Sequence, residues 1–179
     1  MTMKLDTPLV RGLRDHLVDL SVQSIRPHHG GSKADAASPE ERAILERFRP
    51  FAELFVLVAY ADGRFEESER SVILGAFRAM TGGRVRTPSL EALKDVLQTT
   101  VSQSDPDERL EQICGALAFD REDAELAFAL ASAVALSDNR TTTEEADLLA
   151  KVASWLRLSE NRIDRLLNAG RMSLDPRAP

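Results

Sequence analysis

The stretch Tyr60-Ala61-Asp62-Gly63-Arg64-Phe65-Glu66-Glu67-Ser68-Glu69-Arg70 returns later in the chain as Leu136-Ser137-Asp138-Asn139-Arg140-Thr141-Thr142-Thr143-Glu144-Glu145-Ala146. The two align without a gap, 76 positions apart (138 − 62). Leu54 and Leu130, Val58 and Val134, Ala59 and Ala135, Asp62 and Asp138, Arg64 and Arg140, and Glu69 and Glu145 are identical pairs. An internal repeat constrains a fold strongly, because each copy is a supersecondary unit that cannot bury its apolar face alone.

The unit is a helix–turn–helix. An apolar run precedes each Asp, from Phe51 to Ala61 and from Leu126 to Leu136. Each is dense enough for a largely buried helix. Gly63 and Asn139 follow, the residue types that most easily adopt the left-handed conformation ending a helix. Thr142-Thr143-Glu144-Glu145 then reads as a capping box, the Thr142 hydroxyl bonding the Glu145 amide and the carboxylate bonding back. In the first copy Glu66 takes the place of Thr142, and Glu69 keeps the Glu position.

At "AYADGRFEESER" and "ALSDNRTTTEEADLL" the chain resembles the tellurite-resistance TerB family and its relative, the N-terminal domain of DjlA-type co-chaperones. That pattern is an apolar helix ending in Ala-Asp-Gly, a short turn and a Ser/Thr-x-x-Glu helix start, with a second unit downstream. The resemblance spans roughly Ser38 to Gly170; Asn139 and Glu66 depart from the pattern. It implies a bacterial stress-response role linked to tellurite, protein partners associated with membranes, and acidic residues that handle metal ions.

Composition sets the outer bounds. With 43% apolar and 29% charged residues, the chain reads as a soluble globular domain. Only 5% is aromatic, while Ala and Leu are plentiful, which favours helix. A net charge of −6 argues against a nucleic-acid footprint. The single cysteine, Cys114, has no internal partner and points to a reducing compartment. No signal peptide is apparent after Met1, and the run Phe51 to Ala61 is too short to span a bilayer. The expected location is the cytoplasm.

Along the chain, residues 1–26 read as an amphipathic helix opened by Thr7-Pro8, with Leu9, Leu13, Leu17 and Leu20 in one stripe. It either folds back on the bundle, the favoured reading, or docks on a partner. Residues 27–37 form a polar, glycine-containing linker. The main domain covers 38–170, and 171–179 reads as a disordered tail. Ser38-Pro39-Glu40-Glu41, Thr87-Pro88, Asp105-Pro106 and Ser159 mark helix starts, and Gly82-Gly83 marks a stop. Pro50 predicts a kink or short break in the helix leading to Ala61. Nothing alternates with the period of a sheet. The fold class is therefore all-α, a single bundle of about seven or eight helices (by the helix start and stop signals) built on two pseudo-repeats.

Asp62, Glu66, Glu69, Asp138, Glu144 and Glu145 are the candidate ligands of a divalent cation. Oxygen-only donors select a hard ion, calcium or magnesium, over zinc. The plainer reading stays open beside it: Asp bonds loop amides and Glu completes a helix cap. An Asp at a helix C-terminus opposes the helix dipole, so a donor, an arginine or a cation is needed there twice. Arg64 and Arg140 can supply that charge. His28-His29 in the linker hold no fixed geometry, His16 reads as surface, and Cys114 lies on an apolar stripe without an identifiable base. No catalytic residue and no phosphate loop, dinucleotide fingerprint or zinc signature is found. The expectation is a non-enzymatic binding or scaffold module with a protein partner. The alternatives are a co-chaperone-type interaction domain without a metal role and, less favoured, an enzyme with an unrecognised site.

Overall fold

Ser38 opens the main domain's first helix with a complete capping box. Its backbone is extended (φ −60°, ψ 159°), its hydroxyl accepts from the Glu41 amide, and the Glu41 carboxylate accepts from the Ser38 amide. Pro39 follows at the first helical position, where its missing N–H costs nothing. The computed structural model describes residues 8–22, 38–60, 67–102, 105–135 and 143–168. The linker at 27–37, the tail at 171–179 and both repeat turns, with Gly63 and Asn139, lie outside them.

Eight helices are described: α1 (Pro8–Val22), α2 (Pro39–Ala59), α3 (Glu67–Thr81), α4 (Thr87–Ser102), α5 (Pro106–Leu117), α6 (Arg121–Ala135), α7 (Thr143–Trp155) and α8 (Glu160–Asn168). No strand occurs among the described residues. The all-α expectation holds.

α2 and α6 form the centre. Every residue from Phe51 to Ala59 is buried, and so is every residue from Leu130 to Ala135. Helices buried all round must be apolar all round, which is why these two runs show no polar face. α2 packs against α3, α4, α5, α6 and α7. Phe55 of α2 meets Phe77 of α3 with ring centroids 6.0 Å apart, and each fully buried Phe contributes about 1.5–3 kcal/mol. Leu54 and Leu130, Val58 and Val134, and Ala59 and Ala135 are all core residues.

Of the kink or short break expected at Pro50, the break does not occur; α2 is continuous from Pro39 to Ala59 with Pro50 inside it. Proline removes one donor, that to the Glu46 carbonyl one turn earlier. Glu46 is on the exposed side, where solvent can replace the lost bond. The buried half begins only at Phe51.

α1 folds back on the bundle and packs chiefly along α3, with lesser contacts to α6 and α8. Val10 and Leu17 are buried, and Leu13 and Val18 pack against the core, as the stripe requires. α3 ends in a Schellman motif, the Gly83 amide donating to Arg78 O (3.1 Å) and the Gly82 amide to Ala79 O (3.3 Å). Both glycines have positive φ, 59° and 69°. α7 ends the same way with Arg157 in the left-handed position, φ 55°, where a glycine would be unstrained. Asp105 caps α5, and Asp120 caps α6 through the amides of Glu122 and Asp123.

Candidate functional site

The acids of the two repeat units divide between described and undescribed positions. Asp62, Glu66 and Asp138 lie outside the described residues. Glu69, Glu144 and Glu145 are all in first turns, of α3 and α7 respectively. The sequence favours acids there because the helix N-terminus carries partial positive charge. Glu69 is buried, only 7% exposed, whereas Glu145 is half-buried and Glu144 exposed. Neither Glu69 nor Glu145 is without an interaction partner in the fold. Both α3 and α7 pack against α2 and α6, so the two acidic helix starts are carried by one central pair.

The start of α3 is tied down by Arg70. Its guanidinium pairs with Glu67 (3.4 Å) one turn back and with Glu91 of α4 (3.0 Å). The charge of Glu67, more than any other influence, raises the Arg70 pKa above its ordinary value. Beside Glu69, the Ser68 hydroxyl and the Arg70 Nε are buried without a hydrogen-bond partner. Arginine so anchored keeps this helix start fixed relative to α4. Among the described residues, no three His, Cys, Asp or Glu side chains converge as a metal site.

Three further ion pairs tie distant parts of the chain together, and the sequence shows no pairing for any of them. Glu53, in the buried half of α2, receives both Nε (2.5 Å) and Nη2 (2.9 Å) of Arg109 in α5. Its side chain is 3% exposed and the arginine's 36%. The hydrogen bonds to Glu53 raise the Arg109 pKa. Glu41 pairs with Arg86 at 2.9 Å and accepts from the Arg86 amide at 3.0 Å. Those bonds, with the one from Ser38, hold the Glu41 carboxyl down at about 2. Glu125 of α6 accepts from Nε (2.6 Å) and Nη2 of Arg162 in α8, and from Arg121 on its own helix. The Arg162 hydrogen bonds lower the Glu125 pKa. The partners stand 56, 45 and 37 residues apart in the chain. The one available signal was the lone Glu53 inside an apolar run, since a buried acid demands a partner.

Cys114 is buried in α5, and that burial pushes its thiol up to about 12. It stays protonated at physiological pH and serves as a core residue. His16 is exposed on α1. Tyr60 and Trp155 pack against the core.

Among the described residues, six helices around two buried central ones, with acids collected at helix starts, define a helical-bundle protein. The sequence profile of the tellurite resistance protein TerB family matches residues 49–168, and the chain belongs to that family. The match takes in α3 to α8 and the buried half of α2; α1 lies outside it. Comparison with curated proteins and with solved structures returned no match. No helix among the described residues is long and apolar enough to cross a membrane.

Proposed function

We propose that this chain is a non-enzymatic binding module of the TerB type, acting in a tellurite or general stress response, with weak divalent-cation binding at its acidic turns. The observation that carries the reading is the family match across 49–168, which encloses both acidic turns. In this reading Asp62 with Glu66 or Glu69, and Asp138 with Glu144 or Glu145, supply carboxylate oxygens to calcium or magnesium, and water completes each shell. The cation joins the end of one helix to the start of the next. Arg64 and Arg140 nearby reduce the affinity. The partner is a protein, and the module works in the cytoplasm beside membrane-associated components.

A second reading has its own support. Glu69 and Glu145 already hold partners within the fold, as residues with a purely capping role would. There the chain is an interaction domain of the co-chaperone kind and needs no metal.

Growth under tellurite tests the proposal. Wild-type chain and the Asp62→Asn/Asp138→Asn variant are expressed at equal levels in a tellurite-sensitive bacterial host. The first reading expects raised tolerance with wild type and less with the variant. Equal tolerance from both supports the second reading, and no gain from either contradicts the stress role.

A further inference from the structure

The corner between α5 and α6 carries the least expected side chain of the molecule. Phe119 is 94% exposed, at the position just before the Asp120 cap of α6. A hydrophobic residue there ordinarily folds onto the helix as a staple, four residues beyond the cap. The residue in that place is Ala124, which is buried to 3% exposure, and Phe119 stands away from the core instead. Leu126, also exposed at 42%, lies one turn beyond Glu122 on the open side of α6. On the α5 side, Gly115 has nothing within 4 Å of where its Cβ would stand. An aromatic ring therefore stands exposed at the corner between the two helices.

The charge around it is one-sided. Residues 105–125 hold eight acids and two arginines, a net of −6, equal to the net charge of the entire chain. Arg109 is taken by Glu53, and Arg121 shares Glu125 with Arg162 of α8. Lys151 of α7 compensates Asp107. Glu111 of α5 and Glu122 of α6 are exposed, on the two helices that meet at Phe119.

We infer that the α5–α6 corner is a docking surface for a basic amphipathic segment of a partner protein, with Phe119 as its apolar anchor. The inference rests on the binding-module reading and gives that module its contact face. Exposed aromatics inside a charged rim are the usual centre of an interface, where a buried ring supplies affinity and the rim selects by sign. The negative rim opposes an anionic lipid surface or nucleic acid and accepts lysine and arginine. Apolar residues on one face of the partner helix cover Phe119 and Leu126, and its basic residues meet Glu111 and Glu122.

The probe is a fluorescein-labelled helical peptide of leucine and lysine in amphipathic register, with a leucine–glutamate peptide of the same register as control. The full chain should bind the basic peptide and not the acidic one. Phe119→Ala, which removes an exposed ring and leaves the helical circular dichroism intact, should weaken binding at least tenfold. Glu111→Lys with Glu122→Lys should do the same. Basic-peptide binding unchanged by Phe119→Ala, or absent in wild type, overturns the inference. Photo-crosslinking in cells separates this from the parent reading, with benzoylphenylalanine placed at 119 and, as controls, at the exposed positions 42 and 161. A protein captured at 119 and lost when Glu111 and Glu122 are reversed supports the surface. Capture at the controls and not at 119 defeats the surface but leaves the module. No capture at any position defeats both.

Discussion

The backbone carbonyl oxygen of Leu17 in α1 lies 1.9 Å from where a Cβ on Gly75 of α3 would stand. The two helices cross in van der Waals contact of their backbones, and only glycine permits it. This crossing seats α1, an element outside the family match, on the bundle. Gly75→Ala places a methyl group against backbone, which cannot rotate away, so α1 must lift. A loss of about 1–3 kcal/mol is expected, the range for overpacking a well-packed site. Denaturant melts measure it, and amide exchange should rise across residues 8–22. Gly115→Ala is the control: it meets open space inside a helix and should gain up to about 1 kcal/mol. A Gly75→Ala protein as stable as wild type would contradict the crossing.

Acid should loosen the junction between α2 and the start of α4. The Glu41 carboxyl lies at about 2 in the fold against 4.5 ordinarily, held there by Arg86. A folded pKa below the unfolded one means stability that is complete above the unfolded value and lost as pH falls through the folded one. The window for Glu41 is therefore from about pH 4.5 down to about pH 2. Glu125, lowered by Arg162, works in the same direction. Stability measured against pH should fall less steeply in Glu41→Gln than in wild type across that window. Parallel curves would show that the pair does not contribute.

Breaking the Glu53–Arg109 pair from the arginine side should cost more than replacing the pair. Arg109→Ala leaves a carboxylate at 3% exposure without its counterion. Such breaks cost about 3–5 kcal/mol when fully buried, and the partly exposed arginine reduces this to roughly 2–3 kcal/mol. Glu53→Leu with Arg109→Leu should recover most of the loss, since burying two apolar side chains needs no pairing. Urea melts of the single and double variants decide it; a double variant less stable than Arg109→Ala would mean the pair is net stabilising.

What the sequence shows here is governed by the range of the physics. Helix starts at Ser38 and Asp105 were legible because caps act within three residues, as was the Gly82-Gly83 stop. The central helices were legible because burial on all sides leaves no polar stripe between Phe51 and Ala59. Pro50 does not break α2, because its local cost falls on the exposed half of the helix, where a missing bond is cheap. The ion pairs Glu53–Arg109, Glu41–Arg86 and Glu125–Arg162 were illegible, because their partners meet only after the helices pack. Phe119 reads as one more apolar residue until its exposure is known. Half of the candidate ligands, Asp62, Glu66 and Asp138, lie outside the described residues; of the rest, the sequence found the helix-start positions of Glu69, Glu144 and Glu145 but not the burial of Glu69.

Melting temperature against calcium and magnesium concentration tests the acidic turns most directly. A ligand that binds the folded chain alone stabilises it by RT times the logarithm of one plus the ratio of its concentration to its dissociation constant, about 2.7 kcal/mol at a hundredfold ratio. Wild type should show a melting temperature that climbs with millimolar ion, and Asp62→Asn/Asp138→Asn should show a flatter response. Sodium at matched ionic strength removes general screening from the comparison. A wild-type response no larger than that of the double variant would leave Asp62, Glu66, Glu69, Asp138, Glu144 and Glu145 as turn and cap residues only.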